Sequence, residues 1–161
     1  MNIEIEYKFL VSMSFFESIK ETQTPTVIEQ AYLLDGKDFH MRVRIEHTLG
    51  SPNKKKASLT TKTGKKPSRE EYEIDIPLDY AVVLVKNSIS ILRKWRYKIK
   101  IKELTWELDY YPDDNLVVAE VEVPTLDYPI NMPSWVIKEV TKDSKYSNTT
   151  LAKKNKAKIN P

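Results

Sequence analysis

The chain of 161 residues has no cysteine, which excludes disulfide frameworks, thiolate nucleophiles and cysteine-ligated zinc or iron–sulfur centres. Its only glycines are Gly36, Gly50 and Gly64, too few and too far apart for a P-loop or a dinucleotide-binding turn. Any phosphate group held here is therefore held by side chains. Long apolar runs are missing too, and the N-terminal MNIEIEYKFL carries acids where a secretory signal needs a basic stretch and an apolar core. These absences point to a cytoplasmic chain in a reducing compartment, with no membrane partner. Histidine is scarce: His40 and His47 show no metal-ligand spacing and are expected at the surface or in loops.

What the chain does have is charge. Charged residues make up 30% of it, yet the formal net charge is only +3, so the arrangement of the two signs matters more than their sum. The length fits one domain with a sizeable core. We place that domain at 1–152 and treat 153–161, with its run Lys153-Lys154-Asn155-Lys156-Ala157-Lys158, as a basic, solvated tail. A nucleic-acid contact through that tail is not the expected role. The runs Lys54-Lys55-Lys56 and Lys65-Lys66 are read as loop lysines that keep the surface soluble, with no role in a site.

Apolar/polar alternation recurs along most of the sequence and marks strands with two chemically different faces. In Ile3-Glu4-Ile5-Glu6-Tyr7-Lys8-Phe9 the ionised groups share one face. Arg42 and Arg44 share a face, as do Glu71, Glu73 and Asp75, Lys94 and Arg96, Glu107 and Asp109, and Glu120 and Glu122. Weaker strand candidates lie at 27–34 and 57–63. Turn chemistry at 35–38, 50–53 and 112–115 favours antiparallel meander connections. Helical periodicity is expected at 12–21 with Ser12 or Ser14 as N-cap, at 79–94 after Pro77, and in a short piece from Ser134. The fold class is α+β, mainly antiparallel β.

Strands of this kind ordinarily turn their charges to water. Two features oppose that default. Like-signed charges sit in pairs at i, i+2, which repel unless something lies between them, and the pairs are spread over at least six strands. A sheet closed with these faces inward would gather carboxylates and cations around one lumen. Such a lumen must be wet, or loaded with cations against its acids and polyanions against its bases. Hard carboxylate oxygens without cysteine or paired histidines suit Mg²⁺ or Mn²⁺.

The ordered series Glu4-x-Glu6-x-Lys8, Arg42-Val43-Arg44, Leu59-Thr60-Thr61-Lys62, Arg69-Glu70-Glu71-Tyr72-Glu73, Lys94-Trp95-Arg96-Tyr97, Trp106-Glu107-Leu108-Asp109, Ala119-Glu120-Val121-Glu122 and the stretch Glu139 to Asn148 resembles the CYTH-domain triphosphate tunnel metalloenzymes. The resemblance spans nearly the whole chain. It implies an eight-stranded closed antiparallel β-barrel with charged side chains inward and helices packed outside, which reverses the default. It also implies Mg²⁺- or Mn²⁺-dependent hydrolysis of inorganic triphosphate to pyrophosphate and phosphate. Adenylate cyclase of class IV, and thiamine or nucleoside triphosphatase activity, stand as alternatives on the same fold, and a non-catalytic polyphosphate-binding module stands outside it. The resemblance assigns Lys8, Arg42, Arg44, Lys62, Lys94, Arg96 and Tyr32 to substrate. It assigns Glu4, Glu6, Glu107, Asp109, Glu120 and Glu122 to metal, with Glu4, Lys8 and Lys94 in the chemistry. Glu71 and Glu73 are expected to orient cations in the lumen, and a homodimer is left open. Trp95, where threonine is common, and Pro112-Asp113-Asp114, where glycine is frequent, depart from the family pattern.

Overall fold

The computed structural model describes the backbone of residues 2–159 and the side chains of 2–155. The expected strands are all present, most of them longer than the alternation alone marked. They are β1 (Ile3–Val11), β2 (Thr26–Asp35), β3 (Phe39–Thr48), β4 (Lys56–Lys65), β5 (Ser68–Asp75), β6 (Ser90–Ile101), β7 (Leu104–Tyr111) and β8 (Leu116–Glu122), with a short β9 (Val136–Glu139). Hydrogen bonding runs in the order β5-β4-β3-β2-β6-β7-β8-β1, all antiparallel, and β1 pairs back to β5 to close an eight-stranded barrel. Closure uses only the first part of β1, where Ile3, Glu4 and Ile5 face Glu70, Arg69 and Ser68. The later part, from Phe9 to Val11, pairs with β9 instead.

Three helices accompany the barrel: α1 (Met13–Thr22), α2 (Leu78–Lys86) and α3 (Asn148–Ile159). Ser12 caps α1, its hydroxyl accepting the Phe15 amide, which spares one of the orphan donors of the first turn. The outer faces of β1, β6, β7 and β8 bury Phe9, Tyr97, Trp106 and Val121 together with Phe16 of α1. Trp106 packs edge-on to Trp135 with centroids 5.2 Å apart. A second layer sets Ala81 of α2 against Ala31, Val43 and Ala57. The inward faces grade from charged to apolar: the parity of Glu4, Glu6 and Lys8 continues to Leu10, that of Arg96 and Lys94 to Leu92, and that of Glu122 and Glu120 to Val118. At that apolar end Leu151 and Ala152 of α3 pack against Tyr32, Leu92, Tyr111 and Val118. One end of the tunnel is thus plugged by α3 and the other is lined by charge.

Three expectations are corrected. The helix drawn at 79–94 ends at Lys86, because the period-2 pattern of Ser90, Leu92, Lys94 and Arg96 is claimed by pairing of β6 with β2 from Thr26 to Tyr32. The piece from Ser134 forms β9, since the far edge of β1 offers hydrogen bonds that an isolated short helix cannot match. The tail is ordered where described: α3 runs across the boundary drawn at 152, Lys153 pairs with Asp35, and Lys154 lies 2.5 Å from Asp114. The side chains of Lys156 to Pro161 lie outside the described residues. The β7–β8 turn at 112–115 forms as expected, and Asn115, at φ 47°, supplies the left-handed residue that glycine otherwise provides. Among the described residues no helix is long and apolar enough to cross a membrane.

Candidate active site

The charged half of the tunnel encloses a cavity of about 810 Å³. Its walls are segregated by sign in a way the strand order explains. The adjoining strands β4, β3 and β6, flanking β2, turn Lys62, Arg42, Arg44 and Arg96 inward, whereas β7, β8, β1 and β5 turn in Glu107, Glu120, Glu122, Glu4, Glu6 and Glu71. A basic arc therefore faces an acidic one.

On the acidic arc like charges stand directly opposite each other across strand pairs: Glu6 against Glu122, and Glu107 against Glu120. Such pairs are destabilising unless compensated. Part of the compensation is internal. Lys8 Nζ lies 2.8 Å from Glu120 Oε1, and Lys66 Nζ donates to Glu6 at 3.0 Å. Lys62 Nζ donates to both Glu4 oxygens at 2.8 Å, and Arg69 adds a contact to Glu4 at 3.2 Å. Lys62 also pairs with Glu71 at 2.5 Å.

The balance leaves the two leading carboxylates on opposite sides of the ordinary value of 4.5. Burial, reinforced by Glu6, pushes Glu4 up to about 7 against the pull of Lys62. For Glu6, burial and Glu120 push upward but are outweighed by Lys66, Lys62 and Lys8, which hold it at about 2. Glu122 is raised by burial and by Glu71 and Glu6. Each shift has a named charge behind it, the pattern expected of a functional cluster.

A network centred on the fully buried Asp109 and Lys94 reaches the cavity wall through Arg96. Asp109 receives Arg96 Nε at 2.6 Å, Arg96 Nη2 at 2.7 Å and Lys94 Nζ at 2.6 Å. Asp109 and Lys94 have no exposed side-chain surface and do not line the cavity. Arg96 continues to Glu120 at 3.2 Å and to Glu107. Burial lowers Lys94 to about 8 even with Asp109 beside it.

Arg42 and Arg44 differ from Lys62, Lys66, Arg69 and Arg96, the other cations of the cavity wall that are removed from solvent. Arg42 has no carboxylate within ion-pair distance among the described residues, Arg44 reaches only Glu46 at 4.0 Å, and the buried Nε of each lacks a hydrogen-bond partner. Arg44 is lowered by burial and then by Arg42 and Arg96. Tyr32 stands opposite Arg42 across β2 and β3, its hydroxyl accepting from Gln30 Nε2 at 2.7 Å. Leaving two guanidiniums unpaired in a partly desolvated wall is costly unless an anion completes them.

Residues 2–156 match the CYTH domain. The chain belongs to the CYTH family. An inorganic triphosphatase of Acetivibrio thermocellus is 34% identical to this CYTH chain over 158 residues, 95% of each protein. The solved inorganic triphosphatase NE1496 is 28% identical, with a TM-score of 0.61 over 94% of this chain and 95% of that one. A putative adenylate cyclase from Vibrio parahaemolyticus shares the fold alone, at 17% identity and a TM-score of 0.55 over 78% of each chain.

Of the residues singled out from the sequence of this CYTH chain, Glu4, Glu6, Tyr32, Arg42, Arg44, Lys62, Arg96, Glu107, Glu120 and Glu122 come together in the cavity wall. Lys8 opens instead onto a side pocket, beside Thr141 and Ser147, and Asp109 and Lys94 lie behind the wall. Two expectations fail. Lys65 and Lys66, set aside as loop lysines, both line the cavity, and Lys66 pairs with Glu6; nothing in a lysine-rich turn marks either for a site. His40, expected at the surface, lines the cavity with Nδ1 2.7 Å from Asp35 Oδ1. Arg69 had no role assigned, yet it shares the inward parity of Glu71 and Glu73, and that alternation was a sufficient signal.

Proposed function

We propose that this chain hydrolyses inorganic triphosphate to pyrophosphate and orthophosphate, with Mg²⁺ or Mn²⁺ as cofactor. The observation that carries the reading is the pair Arg42 and Arg44, two wall guanidiniums without close carboxylate partners, facing an arc of acids. Guanidinium forks match phosphate oxygens bidentately, and Lys62 and Arg96 stand on the same arc. Tyr32 is the only phenyl or indole ring in the wall among the described residues, so the cavity offers charge along its length and no aromatic slot for a nucleobase. That favours a bare polyphosphate chain over a nucleotide or a thiamine ester. The two triphosphatase relatives support the same substrate.

The donor set fits a hard divalent ion. Glu6 and Glu122 oppose each other as like charges, and a cation between them would relieve the repulsion. Among the described residues no three acidic or histidine side chains form a ready-made cage. This suits Mg²⁺ or Mn²⁺, since Mg²⁺ keeps several waters and completes its shell with substrate phosphates. Glu6 and Glu122 would hold the ion, with Glu4, Glu107 and Glu120 within reach through water. Asp109, whose oxygens are occupied by Arg96 and Lys94, would serve instead to position Arg96. When bound, the ion supplies charge neutralisation along the phosphate oxygens.

The chain's own groups do the rest. Arg42, Arg44, Lys62 and Arg96 fix the anion and stabilise the charge that spreads over it in the loose transition state. Glu4, held near neutrality, accepts a proton from the attacking water. The new bond joins the water oxygen to a terminal phosphorus, the bridging P–O bond breaks with its electrons, and pyrophosphate departs. Lys8, kept charged by Glu120 in spite of burial, offsets negative charge at the edge of the site. Lys94 acts through Asp109.

Phosphate release from tripolyphosphate, ATP and thiamine triphosphate, with Mg²⁺, Mn²⁺ or a chelator, tests this directly, alongside detection of cyclic AMP. Tripolyphosphate is expected to be turned over fastest and only with added metal. Preferential formation of cyclic AMP from ATP, or undiminished hydrolysis under chelation, would overturn it.

A further inference from the structure

Helix α2 is apolar nearly all round, which is the pattern of a helix covered on both sides. Its inner side is accounted for: Ala81 is fully buried against β2, β3 and β4, and Leu84 and Val85 pack beside it. Its outer side is in water. Leu78, Tyr80, Val82 and Val83 are 40%, 50%, 40% and 54% exposed. On the outer face of β5, whose parity leads through Ile76 beneath α2, Tyr72 and Ile74 are also 51% and 60% exposed. Half-exposed side chains of this size leave on the order of 500 Å² of apolar surface in water, as large as the biggest patches on typical monomers.

The charges on this face say what fits it. At 100° per residue, the stripe farthest from the barrel is Asp79, Val83 and Lys86. Asp79 stands in the first turn and Lys86 in the last. Asp79 only receives the neighbouring Tyr80 amide, and Lys86 has no carboxylate partner among the described residues. The stripe therefore reads acid, apolar, base, with its centre between Val82 and Val83. A stripe of that order is complementary to itself when reversed. Laid antiparallel across a two-fold axis at Val82 and Val83, each copy brings its Asp79 to the other's Lys86, and the valines meet at the centre. The two helix dipoles also oppose each other favourably in that arrangement. A closed two-fold interface demands this kind of self-complementarity.

We propose that α2 and the adjoining outer face of β5 form the interface of a homodimer, with α2 packed antiparallel against α2 of a second copy. The tunnel is complete within each chain, so the proposal is independent of the reaction assigned to it.

Sedimentation velocity over about two decades of protein concentration tests it. The unaltered chain is expected to sediment as a dimer at the upper end. Val83→Glu is expected to give a monomer with an unchanged circular dichroism spectrum and unchanged phosphate release. Asp79→Lys or Lys86→Glu places like charges at both ends of the interface and is expected to raise the dimer dissociation constant about tenfold or more. The double variant Asp79→Lys with Lys86→Glu restores both pairs, and with them dimerisation. A chain that is monomeric throughout, which would leave the face to some other partner, overturns the proposal. So does a dimer that ignores Val83→Glu, or a double reversal as weak as the single ones.

Discussion

At the scale of single residues, this protein separates cations that are already satisfied from cations that wait for an anion. Asp109 belongs to the first kind of arrangement. With no exposed surface and three donors upon it, it compensates two charges that the barrel has removed from water. Asp109→Asn keeps the shape but leaves Lys94 and Arg96 without their counter-ion. We expect a loss of about 3–5 kcal/mol, the usual cost of breaking a buried ion pair, read as a shift in the urea midpoint at constant m-value. Glu4 makes a pH-dependent prediction. Its carboxyl sits at about 7 in the folded chain against an ordinary 4.5, so between those values the native state holds a proton that the unfolded chain has lost. Stability attributable to this group therefore falls as pH rises from about 4.5 to 7 and is flat above and below. In metal-free buffer, Glu4→Gln should remove that slope; an identical slope in the variant would place the titration elsewhere.

At the scale of elements, α3 converts an open tunnel into a cup. Its Leu151 and Ala152 enter the apolar end beside Tyr32, Leu92 and Val118, and Tyr111 fastens the start of the helix by donating to Asn148 Oδ1 at 2.7 Å. Leu151→Ala removes a side chain only 4% exposed and is expected to cost about 2–5 kcal/mol in equilibrium unfolding. Because Tyr32 touches both the plug and the cavity, the variant should also weaken tripolyphosphate binding, measurable by calorimetry. Unaltered affinity would mean that α3 serves stability alone.

At the scale of the whole molecule, sign segregation around one lumen makes the resting protein electrostatically incomplete. A ligand carrying both charges, a metal polyphosphate, should therefore stabilise it well beyond any ionic-strength effect. At about 100 times Kd, tripolyphosphate with Mg²⁺ should add roughly 2.7 kcal/mol, visible as an upward thermal shift that Arg42→Ala abolishes. Equal shifts from sulfate at matched ionic strength would argue for nonspecific screening. Much of this organisation could be read along the chain. Alternation placed Glu4, Glu6, Arg42, Arg44, Glu120 and Glu122 on common faces because a strand has a period of two whatever surrounds it. The same rule, carried two residues further, would also have shown Arg69 entering the lumen and Leu10, Leu92 and Val118 lining its far end. Lys66 could not be found that way, since it stands in a turn, where no periodicity applies.

What the sequence determined by itself, then, is which side chains share a face and which segments reverse, because local sterics and the pleat fix both. What only the tertiary structure decided is which of the two faces turns inward, how far the closing strand pairs before β9 displaces β5, and which carboxylates the lysines neutralise. Those outcomes depend on contacts between residues some sixty positions apart, such as Lys66 with Glu6 and Lys62 with Glu4. No local pattern encodes the distance between them; closure of the sheet does.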